Sequence, residues 1–285
     1  MSSEIPRPAY PEQRSSIETR VRRFDDSATD SGDVVAVEEP LEIQLILDGR
    51  DFTLSITMRT PGQDEDLAAG FLFTEGIIDR SSQIRDLSLC APNQSGYRNV
   101  IKVQLGSDVE IDQKRLTRHV YTTSSCGVCG KTSIEAVRVA SIHPLESDGP
   151  IVSRHLIESL PRTLRAAQPG FDETGGVHAA ALFDLEGRLL DIREDVGRHN
   201  AVDKLIGAAL RRDEIPLSRA LIMVSGRAGF ELVQKSVRAG LPVMAAVSAP
   251  TSLAVELARE NGMTLLAFVR EGRFNCYSAP QRIAE

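Results

Sequence analysis

The densest chemistry in the chain lies in Cys126-Gly127-Val128-Cys129-Gly130. Two thiols at this spacing can hold zinc, cycle between dithiol and disulfide, or carry sulfur as a persulfide. Structural zinc needs four ligands, usually from two paired motifs, and neither a second Cys-x-x-Cys nor a spaced His pair accompanies this one. A thioredoxin-like dithiol occupies the first turn of a helix, where the dipole lowers the thiol pKa. Here Thr132 and Glu135 form a capping-box pattern that starts a helix near Ser133, so both thiols precede it in a glycine-flanked loop. A sulfur carrier needs a thiolate able to reach a donor and an acceptor. A mobile Gly-rich loop with Lys131 beside it suits that task. Two inert loop cysteines are the plain alternative. The other two cysteines, Cys90 and Cys276, belong to no motif.

Four further segments concentrate polar groups at predicted strand ends. Ser225-Gly226-Arg227-Ala228-Gly229 follows an apolar run and opens a helix, a geometry whose backbone amides and Arg227 would hold an anion. It lacks the GxxxxGK[ST] of a Walker loop. Ser248-Ala249-Pro250-Thr251-Ser252 repeats the arrangement 23 residues later with hydroxyls in place of glycines. Glu194-Asp195-Val196-Gly197-Arg198-His199-Asn200 is a polar cluster between a strand and a helix, where ligands of α/β sheets bind. Phe268-Val269-Arg270-Glu271-Gly272-Arg273 places two arginines around a turn, suited to phosphates. Each has a bland counterpart: an ordinary strand–helix connection, a capping network, a hairpin with solvated charges. His178, alone at the start of a strand, reads as a structural histidine.

The elements that must position these groups can be read from patterning. The chain has 285 residues, 41% hydrophobic and 26% charged, enough for a sizeable core of one or two domains. Its 33 basic and 40 acidic residues give a net charge of −7, and tryptophan is absent, which speaks against a nucleic-acid binder with a stacking platform. No apolar run is long enough to span a membrane, and the first residues, MSSEIPRPAYPEQRSS, are polar and Pro-rich without the apolar centre of a secretion signal, so a cytoplasmic protein is expected. Residues 1–38 read as a disordered or extended tail. Residues 39–120 read as an N-terminal α+β subdomain. Within it Leu41, Ile43, Leu45 and Leu47, then Asp48-Gly49, then Phe52, Leu54 and Ile56 predict a hairpin. A helix from Asp64 ends at Gly76, with strands near 84–89 and 99–105. Residues 121–132 form the mobile Cys-x-x-Cys loop. Residues 133–285 read as an α/β domain with a mostly parallel sheet in three layers, and Asn200 and Asp203 are placed as caps of the helix whose apolar stripe is Val202, Leu205, Ile206, Ala209 and Leu210.

SSCGVCGKTSIE, DIREDVGRHNAVDKLIG, VSGRAGFELVQKS, AAVSAPTSLAVELA and FVREGRFNCYS, with TPGQDEDLAAGFLFTEGII upstream, together resemble the formate dehydrogenase accessory sulfurtransferases of the FdhD/NarQ family over residues 40–280. The resemblance implies a cytidine-deaminase-like core, a homodimer and a cytoplasmic sulfurtransferase. Such a protein takes persulfide sulfur from a cysteine desulfurase. It passes that sulfur to the molybdenum of the bis(molybdopterin guanine dinucleotide) cofactor needed by formate dehydrogenase. Cys126 would then hold the persulfide, with Cys129 as second thiol. Phe268 to Arg273 match the family's cofactor-binding segment. In the combined expectation Ser225, Gly226, Arg227, Arg198, His199 and Ser248 complete that site, GDP mimics part of the cofactor, and no structural metal, nucleic acid or membrane takes part. Deaminase chemistry is set aside, because His178 is followed by Ala179-Ala180 with no glutamate, and Cys126 is preceded by serine rather than proline.

Overall fold

The computed structural model describes residues 14–25, 27–47, 49–94, 96–109, 139–146 and 149–285. The Cys-x-x-Cys motif and the helix expected near Ser133 lie outside these residues. Part of the stretch expected as a disordered or extended tail forms an antiparallel hairpin, β1 (Ser16–Phe24) with β2 (Ala28–Ala36). Few of its side chains are buried, in keeping with its low apolar content, and it rests on a short helix, where Ser16 donates to Glu173 at 3.0 Å.

The next hairpin joins β3 (Glu39–Leu47) to β4 (Arg50–Arg59). Leu41, Ile43 and Leu45 point inward and are fully buried. The simple alternation fails on β4. A bulge opposite Ile43/Gln44 leaves Leu54 as an extra residue, so Ser55 and Thr57 take the inner face and Ile56 and Met58 stand outside, 48% and 47% exposed. β5 (Ile84–Leu89) and β6 (Val100–Leu105) complete a four-stranded sheet in the order β4-β3-β6-β5. Helix α1 (Asp64–Thr74) lies against it. Asp64, Glu65 and Asp66 favour its N-terminus, and Asp64 takes a bidentate bond from the buried Arg59 at 2.9 and 3.0 Å.

After α2 (Arg154–Ala166), capped by Ser153, and α3 (Pro169–Thr174), the chain builds its main sheet. The strands are β8 (His178–Asp184), β9 (Leu189–Asp195), β10 (Ala220–Val224), β11 (Val243–Ala246), β12 (Thr264–Arg270) and β13 (Arg273–Ser278). The short segments Val152–Ser153 (β7) and Ile283–Ala284 (β14) pair separately. The sheet order is β13-β12-β11-β10-β8-β9. The expectation of a mostly parallel sheet is corrected: only β10–β11 and β11–β12 are parallel, while the other three pairings are antiparallel. The short turns at Glu186-Gly187 and Glu271-Gly272 force hairpins, and only the strands joined through intervening helices run parallel.

Helices cover both faces. Side chains alternate along each strand: Ala181, Met223, Val243 and Leu266 meet Leu156, Ile157 and Leu160 of α2. Ala180, Ile222, Val224 and Met244 meet α4 (Arg198–Arg211), α5 (Phe230–Arg238) and α6 (Ser252–Glu260). This second core is continuous with Leu41, Ile43, Leu67 and Phe73, so the four-stranded sheet and α1 share one apolar interior with the main sheet. The α1–α4 crossing is set by two glycines. A Cβ at Gly70 would lie 1.9 Å from the Asp203 carbonyl oxygen, and one at Gly207 would lie 1.9 Å from that of Asp66. The polar pairs of this interface are buried too. Lys235 donates to both Asp203 oxygens and to Thr74, each at 2.8 Å. Burial opposes a charged Lys235, but the Asp203 and Glu75 carboxylates outweigh it and hold its pKa above the ordinary lysine value.

Candidate functional site

One edge of the main sheet gathers the start of β8, the ends of β9, β10 and β11, and the N-termini of α4, α5 and α6. Such an edge, outside the carboxyl ends of parallel strands, is where α/β sheets bind ligands. The turns after β10 and β11 run side by side, bridged at Ala228 and Pro250. Ser248 ties three segments together: its N–H donates to the Gly226 carbonyl at 3.1 Å, and its own carbonyl accepts from Phe268 N–H at 3.2 Å. Ser225 closes the turn onto β8, its N–H donating to Ala179 and its hydroxyl accepting from Ala179 N–H, both at 2.9 Å.

The three helices that start here lack side-chain caps. Their N-cap residues are Gly197, Gly229 and Thr251, and none supplies a capping bond. Two other helices have their N-terminal amides served: Ser153 caps α2, and the Glu194 carboxylate accepts from Gly170 and Phe171 N–H of α3 at 2.8 and 3.0 Å, while α1 also lacks a side-chain cap. Uncapped N–H groups and three convergent dipoles make the edge electropositive.

The side chains add to this. A Cβ at Gly226 would lie 3.5 Å from His178 Nδ1 and 3.8 Å from Arg198 Cδ, so imidazole, guanidinium and turn are neighbours. Burial first, then the Arg198 charge and His199, hold the His178 pKa below the ordinary imidazole value, and Asp195 opposes them only in part. His199 Nε2 lies 3.0 Å from Glu231 Oε2, linking the first turns of α4 and α5. Arg198 Nε and Glu231 Oε1 are buried and have no hydrogen-bond partner among the described residues. Arg227 is exposed.

Asp195 holds the cluster in place. Its Oδ1 accepts from Gly197 N–H at 2.8 Å and Asn200 Nδ2 at 3.1 Å; its Oδ2 accepts from Thr60 N–H at 3.1 Å and Lys204 Nζ at 2.8 Å. Both Asp195 and Lys204 are buried. Asn200 and Asp203 do not cap α4, a correction to the sequence expectation. The helix begins at Arg198, so Asn200 falls inside its first turn and reaches the Met58 carbonyl at 2.7 Å, while Asp203 is buried against Lys235.

The matches to known proteins can be set beside this geometry. The sequence model of the FdhD/NarQ family matches residues 36–284. The chain belongs to the FdhD/NarQ family. It is 51% identical to the sulfur carrier protein FdhD of Streptomyces avermitilis, covering 93% of this chain and 94% of that one. It is 46% identical to the sulfur carrier protein FdhD of Mycobacterium tuberculosis, covering 93% and 97%. The crystal structure of a putative formate dehydrogenase accessory protein from Desulfotalea psychrophila superposes with a TM-score of 0.72 at 26% identity, over 95% of this chain and 100% of that one.

On this FdhD/NarQ chain the expected binding segments meet at one edge, but their members differ in availability. Phe268 is 43% exposed with φ +53°, at the irregularity between Ala267 and Arg270. Val269 points into the core against α2 and offers only backbone. Arg270 donates to the Val247 carbonyl and, at 2.8 Å, to its own neighbour Val269. Glu271 pairs with Arg162 at 3.6 Å and Gly272 takes φ +77°, so the turn itself faces solvent, as does Arg273. Cys126 and Cys129 lie outside the described residues. The described chain resumes at Val139, anchored on α5 by Gln234 at 2.9 Å, with Arg238 taking the Ala140 carbonyl at 2.9 Å. Sequence reasoning missed two residues of the edge, His178 and Glu231. His178 looked like any strand residue because its proximity to Gly226 follows from β8 lying antiparallel beside β10. Glu231 looked like an ordinary first-turn acid.

Proposed function

We propose that this protein takes persulfide sulfur from a cysteine desulfurase on Cys126 and delivers it to the molybdenum of the bis(molybdopterin guanine dinucleotide) cofactor, for use by formate dehydrogenase. The observation that carries this reading is the 51% identity, over nearly the whole chain, to a sulfur carrier protein FdhD. The likeness to a formate dehydrogenase accessory protein points the same way. The chain's own CGVCGK supplies the paired thiols. In the donor step the Cys126 thiolate attacks the outer sulfur of the desulfurase persulfide, and the desulfurase thiolate leaves. In the delivery step Cys129 attacks the Cys126 sulfur. A Cys126–Cys129 disulfide forms, the outer sulfur departs as sulfide toward the metal, and a cellular dithiol restores the pair.

The cofactor is a substrate here, and the sheet edge suits its nucleotide arms. Uncapped α4, α5 and α6 N-termini, Arg227, and the arginines of the β12–β13 hairpin fit phosphates. The β9-β8-β10-β11-β12 order, with β8 antiparallel to its neighbours, supports the cytidine-deaminase-like reading of the core. We take the protein as a cytoplasmic homodimer; no helix of the described residues is long and apolar enough to cross a membrane.

The decisive test is mass spectrometry after incubation with a cysteine desulfurase and cysteine. One added sulfur on the CGVC peptide, absent from Cys126→Ala, is expected. A cell making formate dehydrogenase with undiminished formate oxidation under Cys126→Ala would reject sulfur carriage and favour a cofactor chaperone without a thiol step.

A further inference from the structure

We propose that β1 pairs edge to edge, antiparallel, with β1 of a second copy about a two-fold axis at Thr19, joining two β1–β2 hairpins into one four-stranded sheet. This rests on the homodimer reading and names a contact for it. The hairpin runs up to residue 36, where the match to the family model begins.

The hairpin forms a two-stranded sheet by itself. Such a sheet is marginal in water, and a third strand or a packed face is what secures it. Its strands are nine residues each, long for an unprotected edge. Large apolar side chains stand in solvent along it: Phe24 is 79% exposed, Ile17 48% and Val35 41%. Val37 N–H donates to the Ser15 carbonyl at 2.8 Å and Asp25 N–H to that of Ser27 at 3.4 Å, and the register between them is unbroken. Odd-numbered residues of β1 therefore bond to β2, and Ser16, Glu18, Arg20 and Arg22 turn their N–H and C=O groups outward. The outer edge of β2 is blunted, because the Asp33 carboxylate takes the Val34 N–H at 2.9 Å. The open edge is β1, whose residues 18–22 line an open cleft of about 1160 Å³.

The order of side chains along β1 selects the partner. With the axis at Thr19, each Glu18 faces the partner's Arg20, each Ile17 the partner's Val21, and each Ser16 the partner's Arg22. Opposite charges and aliphatic pairs directly across an antiparallel ladder are the favourable ones. Glu18 and Arg20 enter no ion pair among the described residues; the hairpin's own pairs are Arg22–Asp30 and Arg23–Asp33, both at 4.0 Å. Ser16 donates to Glu173, so the partner's Arg22 arrives beside a carboxylate. Other axes fail. One at Glu18, Arg20 or Arg22 sets that charge against its own copy, and one at Val21 sets Arg20 against the partner's Arg22. A strand that complements itself under a two-fold operation fits a second copy, not a foreign strand.

Sedimentation of the full chain over a concentration series tests this, on wild type, Glu18→Arg, Arg20→Glu and the double exchange. Each single change sets like charges opposite one another twice and should weaken the dimer by roughly tenfold or more. The double exchange restores opposite pairs and should recover wild-type association, which a misfolded variant could not. Thr19→Cys under diamide gives a second readout. Facing residues of a non-hydrogen-bonded pair stand about 4.5 Å apart at Cα, within disulfide reach. A 19–19 linked peptide should appear by mass spectrometry, and Val21→Cys should give no 21–21 link. A 21–21 link in place of 19–19 would overturn the register and the self-complementarity on which it stands. Equal dimer strength in all four proteins, with no 19–19 peptide, would leave the homodimer intact through another surface and overturn this contact. A wild type monomeric throughout would remove the homodimer reading, and this inference with it.

Discussion

Asp195 and Lys204 meet at 2.8 Å with both side chains buried, and between them they fasten the Thr60 loop to the first turn of α4. Every acceptor position that Asp195 presents is used, by Gly197, Asn200, Thr60 and Lys204. Removing one partner leaves an uncompensated buried charge, which costs about 3–5 kcal/mol. Asp195→Ala and Lys204→Met should therefore each lower Tm by on the order of 10 °C. The double variant should lose less than the sum, because the second change removes the stranded charge. Chemical denaturation of all three proteins measures this. Additive losses would show that the pair is not coupled.

The α1–α4 crossing allows no side chain at Gly70. The atom a Cβ would strike is the Asp203 carbonyl oxygen, which belongs to helix backbone and cannot rotate away. Gly70→Ala should cost about 3 kcal/mol, the upper end of overpacking. Gly32→Ala, on the exposed β1–β2 hairpin with open space around it, should stay within about 0.5 kcal/mol. Comparable urea midpoints for the two variants would contradict the crossing as described.

Much of this architecture is legible in the residues because local signals and burial agree. Leu41, Ile43 and Leu45 alternate and are buried, and the all-apolar Ala220–Val224 is the central strand covered on both faces. The misreadings come from non-local causes. Ile56 continues the alternation on paper, yet a bulge turns it outward. Asn200 has a capping side chain, but the Asp195 network and the Met58 carbonyl claim it inside the helix. Sheet direction failed because a strand followed by a helix looks the same whether its neighbour in space is parallel or antiparallel. The binding segments around Gly226, Ser248 and Phe268 were each visible, but their stitching by Ser248 depends on strand order.

Two histidines make stability depend on pH. His178 has its pKa lowered by burial, Arg198 and His199, and His143 by burial and Arg238, with Asp79 opposing. In the unfolded chain both titrate near ~6.5. Below that the unfolded state binds protons that the native state refuses, so the contribution is complete above the mid-6 range and is lost as pH falls through and below it. His178→Gln and His143→Gln should each flatten the profile between pH 7.5 and 5.5. Urea midpoints across that range provide the check, and an unchanged slope in both variants would remove the histidines as its source.

Arg227 offers the cleanest separation of binding from folding. It is exposed, follows the uncapped turn that starts α5, and takes part in no ion pair described here. Arg227→Ala should leave Tm within about 1–2 °C, as surface changes do. It should weaken GDP binding by roughly three- to tenfold, the worth of one charge-assisted contact at an open edge. Because that contact is partly solvated, the loss should shrink as salt rises from 50 to 500 mM. Arg227→Lys should recover part of the affinity, since a point charge replaces the planar fork. If GDP affinity is equal in wild type and Arg227→Ala at low salt, the phosphates do not lie at this turn, and the nucleotide must enter from the β12–β13 side, where Arg273→Ala then becomes the variant that weakens it.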